Sequence, residues 1–137
     1  DFGIFHPGGK LGAQMRKVSD LMHTGDTIPM LDHDASMHDV LLTMTSKGFG
    51  IAVLVRDGRL FGVITDGDLR RNMDTLMQST PSEIANRTPV TVPADYLAAE
   101  ALALLNERKV SALLVLDQND TPVGVLHMHD FLRAGVM

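Results

Sequence analysis

The amino-acid sequence repeats itself. Met37, Val40, Leu41 and Met44 stand at i, i+3, i+4 and i+7, the spacing of one buried helical stripe, and 61 residues later the stripe returns as Ala98, Ala101, Leu102 and Leu105. A chain that duplicates a unit is constrained to fold as two copies of it. Behind each stripe comes a continuous apolar run, residues 51–55 preceded by Gly50 and residues 112–116 preceded by Ser111. Runs without alternation belong to strands covered on both faces. A turn follows, Arg56-Asp57-Gly58-Arg59 in one copy and Asp117-Gln118-Asn119-Asp120, one residue longer, in the other. Each half then enters a third apolar strand with a glycine at the same place, Gly62 and Gly124, and closes in a short polar-led helix over 66–72 and 128–134.

Ahead of each stripe lies a proline-flanked strand, residues 27–31 and 89–93; Pro29 cannot donate to a ladder, so this strand is short or lies at an edge. Asp34 or Ser36 can cap the first stripe helix and Asp95 the second. A β-α-β-β-α unit of about 57 residues hides only part of its sheet behind two helices, so two copies pack through the faces left bare. The expectation is an α/β chain of two tandem β-α-β-β-α repeats, paired within the chain about a pseudo-twofold axis. Residues 1–17 form a lead-in that passes into a helix over 10–22. Repeat 1 spans 18–74, a linker 75–80 and repeat 2 81–137.

Composition narrows the function. With 12 Lys and Arg against 17 Asp and Glu, the net charge is −5, which argues against nucleic acid or an anionic membrane surface as partner. The absence of cysteine excludes a disulfide scaffold, a thiolate zinc site and a cysteine nucleophile, and fits a cytoplasmic protein. The longest aliphatic runs, five residues each, fall far short of the roughly 20 a spanning helix needs. The chain begins at Asp1, with no basic segment and apolar stretch of the signal-peptide kind, and reads as a piece of something longer.

Chemistry concentrates where the third strand of each copy hands over to a helix. In Gly62-Val63-Ile64-Thr65-Asp66-Gly67-Asp68, Thr65 and Asp68 stand three apart, the spacing of a capping box. The same geometry suits an anion site, with free amides at a helix start, a hydroxyl to donate to phosphate and a carboxylate to accept from a ribose diol. The second copy reads Gly124-Val125-Leu126-His127-Met128-His129-Asp130, keeping the Asp and replacing the Thr by His127. Loss of a good capping residue is unforced if the motif only caps; if the motif binds, the two sites have diverged. His127, His129 and Asp130 suggest a metal, but two imidazoles without a third strong ligand make a weak site, and none is assigned. Arg70, Arg71 and Arg133 just beyond the motifs read as solvated or dipole-complementing residues.

Tandem β-α-β-β-α halves, each closing in a Gly-hydrophobic-x-[Thr/Ser]-x-x-Asp pattern, resemble a cystathionine β-synthase (CBS) domain pair, or Bateman module, over residues 18–137. The resemblance implies adenine nucleotides or related molecules in clefts between the halves. It places Thr27, Ile28, Gly50, Ile51 and Ala52 at the base of a first ligand, with Thr65 at its phosphate and Asp68 at its ribose. A second site would use Thr88, Val90, Ser111, Ala112, His127 and Asp130. Phe5-His6-Pro7-Gly8-Gly9-Lys10-Leu11-Gly12, Met22-His23-Thr24-Gly25-Asp26, residues 65–71 and His127-Met128-His129-Asp130 further resemble the C-terminal portion of the bacterial arabinose 5-phosphate isomerases. In that family a sugar-isomerase (SIS) domain precedes the CBS pair, and His6 would belong to its active site. The implied parent activity interconverts ribulose 5-phosphate and arabinose 5-phosphate for 3-deoxy-D-manno-octulosonate (Kdo) and lipopolysaccharide biosynthesis. The fragment alone, lacking a positioned substrate, is expected to be non-catalytic. No cofactor is required, and the effector is a nucleotide or nucleotide sugar such as AMP, ATP or CMP-Kdo. Partners implied are the SIS domain of the same chain and further copies, in a homo-oligomer formed through CBS pairs. The contrasting reading is a structural dimerisation module with empty clefts.

Overall fold

A computed structural model describes residues 15–136. His6, the rest of the glycine-rich lead-in and the start of the helix expected over 10–22 lie outside them. Within the described residues that helix is one turn, α1 (Val18–Leu21), followed by a 3-10 turn, Gly25–Thr27. Repeat 1 continues with β1 (Met30–Asp32), α2 (Met37–Lys47), β2 (Ile51–Arg56), β3 (Arg59–Thr65) and α3 (Asp66–Arg71). A second 3-10 segment, Met73–Gln78, gives the connection more structure than a plain linker, and α4 (Pro81–Ile84) opens the second half. Repeat 2 follows as β4 (Thr91–Val92), α5 (Ala98–Arg108), β5 (Ala112–Leu116), β6 (Pro122–His127) and α6 (Met128–Arg133).

Each repeat builds a three-stranded sheet with its second strand in the middle, parallel to the first and antiparallel to the third. Both sheets shift register at corresponding places, between Leu54 and Val55 and between Val115 and Leu116. The first strands are shorter than the sequence suggested: residues 27–31 reduce to Met30–Asp32 and residues 89–93 to Thr91–Val92. Prolines at 29, 89 and 93 lack the amide a ladder needs, and Thr27 is already committed to the 3-10 turn.

The stripe helices begin in different ways. Ser36 Oγ accepts from the Asp39 amide, and Gly48, at φ 76°, ends α2 in the left-handed region. In the second copy the cap position is Leu97 rather than Asp95; the Glu100 carboxylate accepts from the Leu97 amide at 3.3 Å instead. The first hairpin is tight because Asp57 and Gly58 both take positive φ, 53° and 79°.

Three apolar clusters explain the unbroken runs. Met37, Val40 and Met44 of α2 cover Ala52, Leu54 and Ile64 on one side of the first sheet. Ala98, Ala101 and Leu105 of α5, with Phe131 and Val18, cover Leu113, Val115 and Leu126 of the second. The alternate residues Ile51, Val53 and Val63 meet Leu114 and Val125 in a third cluster between the sheets. The two halves therefore close face to face, as expected.

The lead segments cross over. His23, ahead of the first sheet, exchanges backbone hydrogen bonds with Val125 of the second (2.9 and 3.0 Å), while Asn86, ahead of the second sheet, does the same with Val63 of the first (2.8 and 3.0 Å). Gly62 and Gly124 make room for these approaches: a Cβ on Gly62 would lie 2.8 Å from the Asn86 carbonyl oxygen, and one on Gly124 would strike the Met22 side chain. Val18 of α1 accordingly packs in the core of repeat 2, and Ser82 of α4 donates its hydroxyl to the His33 carbonyl of repeat 1 at 2.6 Å.

Candidate functional site

Thr65 ends β3 in extended conformation and begins α3. Its Oγ1 accepts from the Asp68 amide (3.2 Å), and Asp68 Oδ2 accepts from the Thr65 amide (2.9 Å) and hydroxyl (3.1 Å). The capping box is thus formed in full. The other carboxylate oxygen of Asp68 pairs with Arg71 at 2.6 Å. This half-buried acid already has a neutralising cation beside it. The Gly67 amide has no acceptor among the described residues, so one donor at the helix start stays unused.

Capping does not consume the space beside Thr65. There the two repeats leave a cleft of about 100 Å³, open to solvent. Repeat 1 supplies Ile51, Val63 and Thr65; the second half supplies Asn86, Pro89, Val90, Val110, Ser111, Ala112 and Leu114. The lining is mainly apolar with a few polar groups at its edge, the balance of a small-molecule site. This regroups the candidate residues. Across the cleft Thr65 faces Val90, Ser111 and Ala112; Thr27 and Ile28 of its own repeat are not in the lining, and Gly50, whose carbonyl accepts from the Asp66 amide at 3.1 Å, stays beside Thr65 but outside the cleft. Ile28 is buried in the cluster between the sheets, and Ala52 packs under α2. Gly50 lies in a groove on the outer side with Met44 and Asp66, while exposed Thr27 donates its hydroxyl to the Thr24 carbonyl. Of the first-site residues only Ile51 lines the cleft with Thr65.

Asn86 was not among the sequence candidates. Its Oδ1 accepts from the Thr88 amide at 3.0 Å, which fixes the amide group and leaves Nδ2 as the donor to the surroundings. Thr88 itself supports Asn86 and is not in the cleft lining. Nothing local marks Asn86 in the sequence; only the crossing of the lead segments brings it to Thr65.

The equivalent corner of repeat 2 is built differently. His127 replaces Thr65 and still caps: its Nδ1 accepts from the His129 amide at 3.3 Å, and Asp130 Oδ2 accepts from the His127 amide at 2.7 Å. The substitution therefore keeps the cap, contrary to the sequence reading. Asp130 is 4 % exposed, and its Oδ1 bonds His23 Nε2 at 2.7 Å and also pairs with Arg133. The His23 ring lies against Phe49, centroids 5.0 Å apart at 59°. Burial, then the neighbouring His129, holds the His127 imidazole below the usual histidine range, against the opposing pull of Asp130. The rings of His127 and His129 stack at 4.8 Å, and no group of three metal-ligating side chains occurs among the described residues. Nor is any helix among them long and apolar enough to cross a membrane.

Comparison with known proteins fits this architecture. The family model described as "CBS domain" matches twice, over residues 18–75 and 82–136. The chain is similar to arabinose 5-phosphate isomerase KdsD of Pseudomonas aeruginosa, 45% identical over all of this chain and 44% of that protein. It is 46% identical to the Yersinia pestis KdsD, over all of this chain and 43% of that one. The chain thus spans less than half the length of these curated relatives. Among solved structures, the CBS domain pair of protein MJ0100, in complex with 5′-methylthioadenosine and S-adenosyl-L-methionine, superposes with a TM-score of 0.78 at 19% identity, covering 87% of this chain and 94% of that one. CBSX2 in complex with AMP gives 0.79 at 22% identity, covering 88% and 96%.

Proposed function

Since the chain belongs to the CBS domain family and carries two of its repeats face to face, we propose that it is a regulatory module that binds a nucleotide or nucleotide sugar in the cleft beside Thr65. The observation that carries this reading is that cleft: an apolar slot between repeats lined at one end by Thr65, which starts α3 and whose hydroxyl is bonded to the Asp68 carboxylate behind it. A base or other flat ring fits between Ile51, Val63 and Val90, whose burial on binding supplies the non-directional part of the affinity. Asn86 Nδ2 donates to an acceptor on the ring. At the other end the Thr65 hydroxyl turns from Asp68 to a phosphate oxygen, the Gly67 amide adds a second donor and Arg71 supplies the countercharge, while Asp68 accepts from a ribose hydroxyl. AMP, ATP and CMP-Kdo all carry these groups.

Occupancy has a physical route out of the cleft. Its walls come from both repeats, so a ligand that touches both favours one relative placement of them, by its difference in affinity between placements. The chain ahead of α1 is bonded to repeat 2: the Arg16 carbonyl accepts from the Ala98 amide at 2.7 Å, and the Val18 amide donates to the Tyr96 carbonyl at 2.8 Å. The likeness to the KdsD isomerases supports a reading in which α1 follows an SIS isomerase domain that interconverts ribulose 5-phosphate and arabinose 5-phosphate, to which His6 would contribute. In a longer cytoplasmic protein, a nucleotide sugar from the end of the same pathway would then set the rate of its own supply.

Thermal shift tests the reading. AMP, ATP, CMP and CMP-Kdo are added in turn, and a ligand at 100 times its dissociation constant is expected to add about 2.7 kcal/mol to the unfolding free energy. No shift with any of the four makes the module structural, a dimerisation element whose Thr65-Asp68 pair only caps.

A further inference from the structure

The two corners related by the internal repeat are not equally available. In the open cleft the residue that pairs with the third strand is Asn86, and the residue two before Ala112 is Val110. At the matching places around His127 the chain has His23, which pairs with Val125, and Phe49, two before Ile51. Two smaller side chains on one side thus correspond to two rings in contact on the other. Asp130, the counterpart of Asp68, is also occupied, since its carboxylate holds His23 from the opposite half of the chain.

We propose that His23 and Phe49 act as built-in occupants of the second cleft, so that the chain takes one nucleotide, beside Thr65, rather than two. His23 lies over the corner through its Phe49 contact and satisfies the carboxylate that would otherwise accept from a ligand hydroxyl. It is held there from both ends, by its backbone pair with Val125 and by the 2.7 Å bond to Asp130. A ligand would have to displace a ring that already has its hydrogen bond and its apolar neighbour, with no gain in paired groups. Val110 and Asn86 offer no such contact, which leaves the first cleft free. This inference rests on the proposed nucleotide binding for its first site only.

Equilibrium dialysis with labelled AMP, counting sites per chain, tests it through exchange of the two pairs. The wild type is expected to hold one AMP. His23→Asn with Phe49→Val and His127→Thr, which copies the open corner into the closed one, is expected to hold two, His127→Thr alone one, and Asn86→His with Val110→Phe none. Circular dichroism confirms that each variant keeps its fold. A wild type that holds two AMP, a His127→Thr variant that gains a site on its own, or a folded triple variant that gains none, overturns the inference. If the wild type holds none and that variant holds one, the closure stands and the nucleotide reading of the Thr65 cleft fails.

Discussion

Thr65 and His127 occupy the same place in two copies of one backbone, each ending a third strand and capping a six-residue helix with an Asp three residues on. One stands beside open space and the other behind a His-Phe pair. The contrast separates two jobs that a single motif performs. Capping needs only an acceptor near the first amides, and either a hydroxyl or an imidazole nitrogen supplies it. Openness is set from across the interface, by what the other half contributes, and there the copies part company. The second corner is also the more deeply anchored: Phe131 of α6 is fully buried with Val18 and Leu105, whereas its counterpart Leu69 in α3 is only half-buried.

The largest expected effect follows from that difference in anchoring. Phe131→Ala should cost about 3–5 kcal/mol in urea denaturation, and Leu69→Ala about 1–2 kcal/mol, because a half-buried side chain leaves a smaller cavity. Equal losses would mean that the two closing helices are anchored alike. The glycines come next. Gly62→Ala drives a Cβ against the fixed Asn86 carbonyl and should destabilise by about 1–3 kcal/mol, while Gly124→Ala meets the Met22 side chain, which can turn aside, and should cost less than Gly62→Ala. The opposite order would show that the His23 crossing is the tighter of the two.

The smallest effect separates the two caps. His127 has a folded pKa below its unfolded value, so the unfolded chain binds that proton more readily. Its stabilising contribution is complete above the unfolded value, near pH 6.5, and is lost as pH falls through that value toward the folded one. His127→Thr, which installs the cap of repeat 1, should therefore lose less in Tm than the wild type as pH falls from about 7.5 to about 5.5. Identical pH profiles would remove His127 as the source of the difference.

Much of the fold was legible because it depends on near neighbours. The stripes of Met37 to Met44 and of Ala98 to Leu105, the Asp57-Gly58 turn, and the Thr65-Asp68 spacing are patterns set by residues close in sequence. The differences lie in choices among neighbouring residues that the sequence leaves open. Asp95 lost the cap position to Leu97 because Glu100 reaches the free amide, and the first strands shortened where prolines could not join a ladder. His127 kept a cap that its residue type did not advertise.

Taken alone, the sequence determined that the chain is a doubled β-α-β-β-α unit, and it marked Thr65 and Asp68 as a polar corner, since periodicity, turns and caps are properties of a few adjacent residues. The tertiary structure alone decided which residues share a cleft. Because the lead segments cross, Thr65 shares its cleft with Val90, Ser111 and Asn86 and not with Thr27, and Asp130 meets His23, 107 residues away. A spacing within one repeat carries no information about which face of the other repeat will lie against it; that is fixed only when both sheets bury their bare apolar faces together.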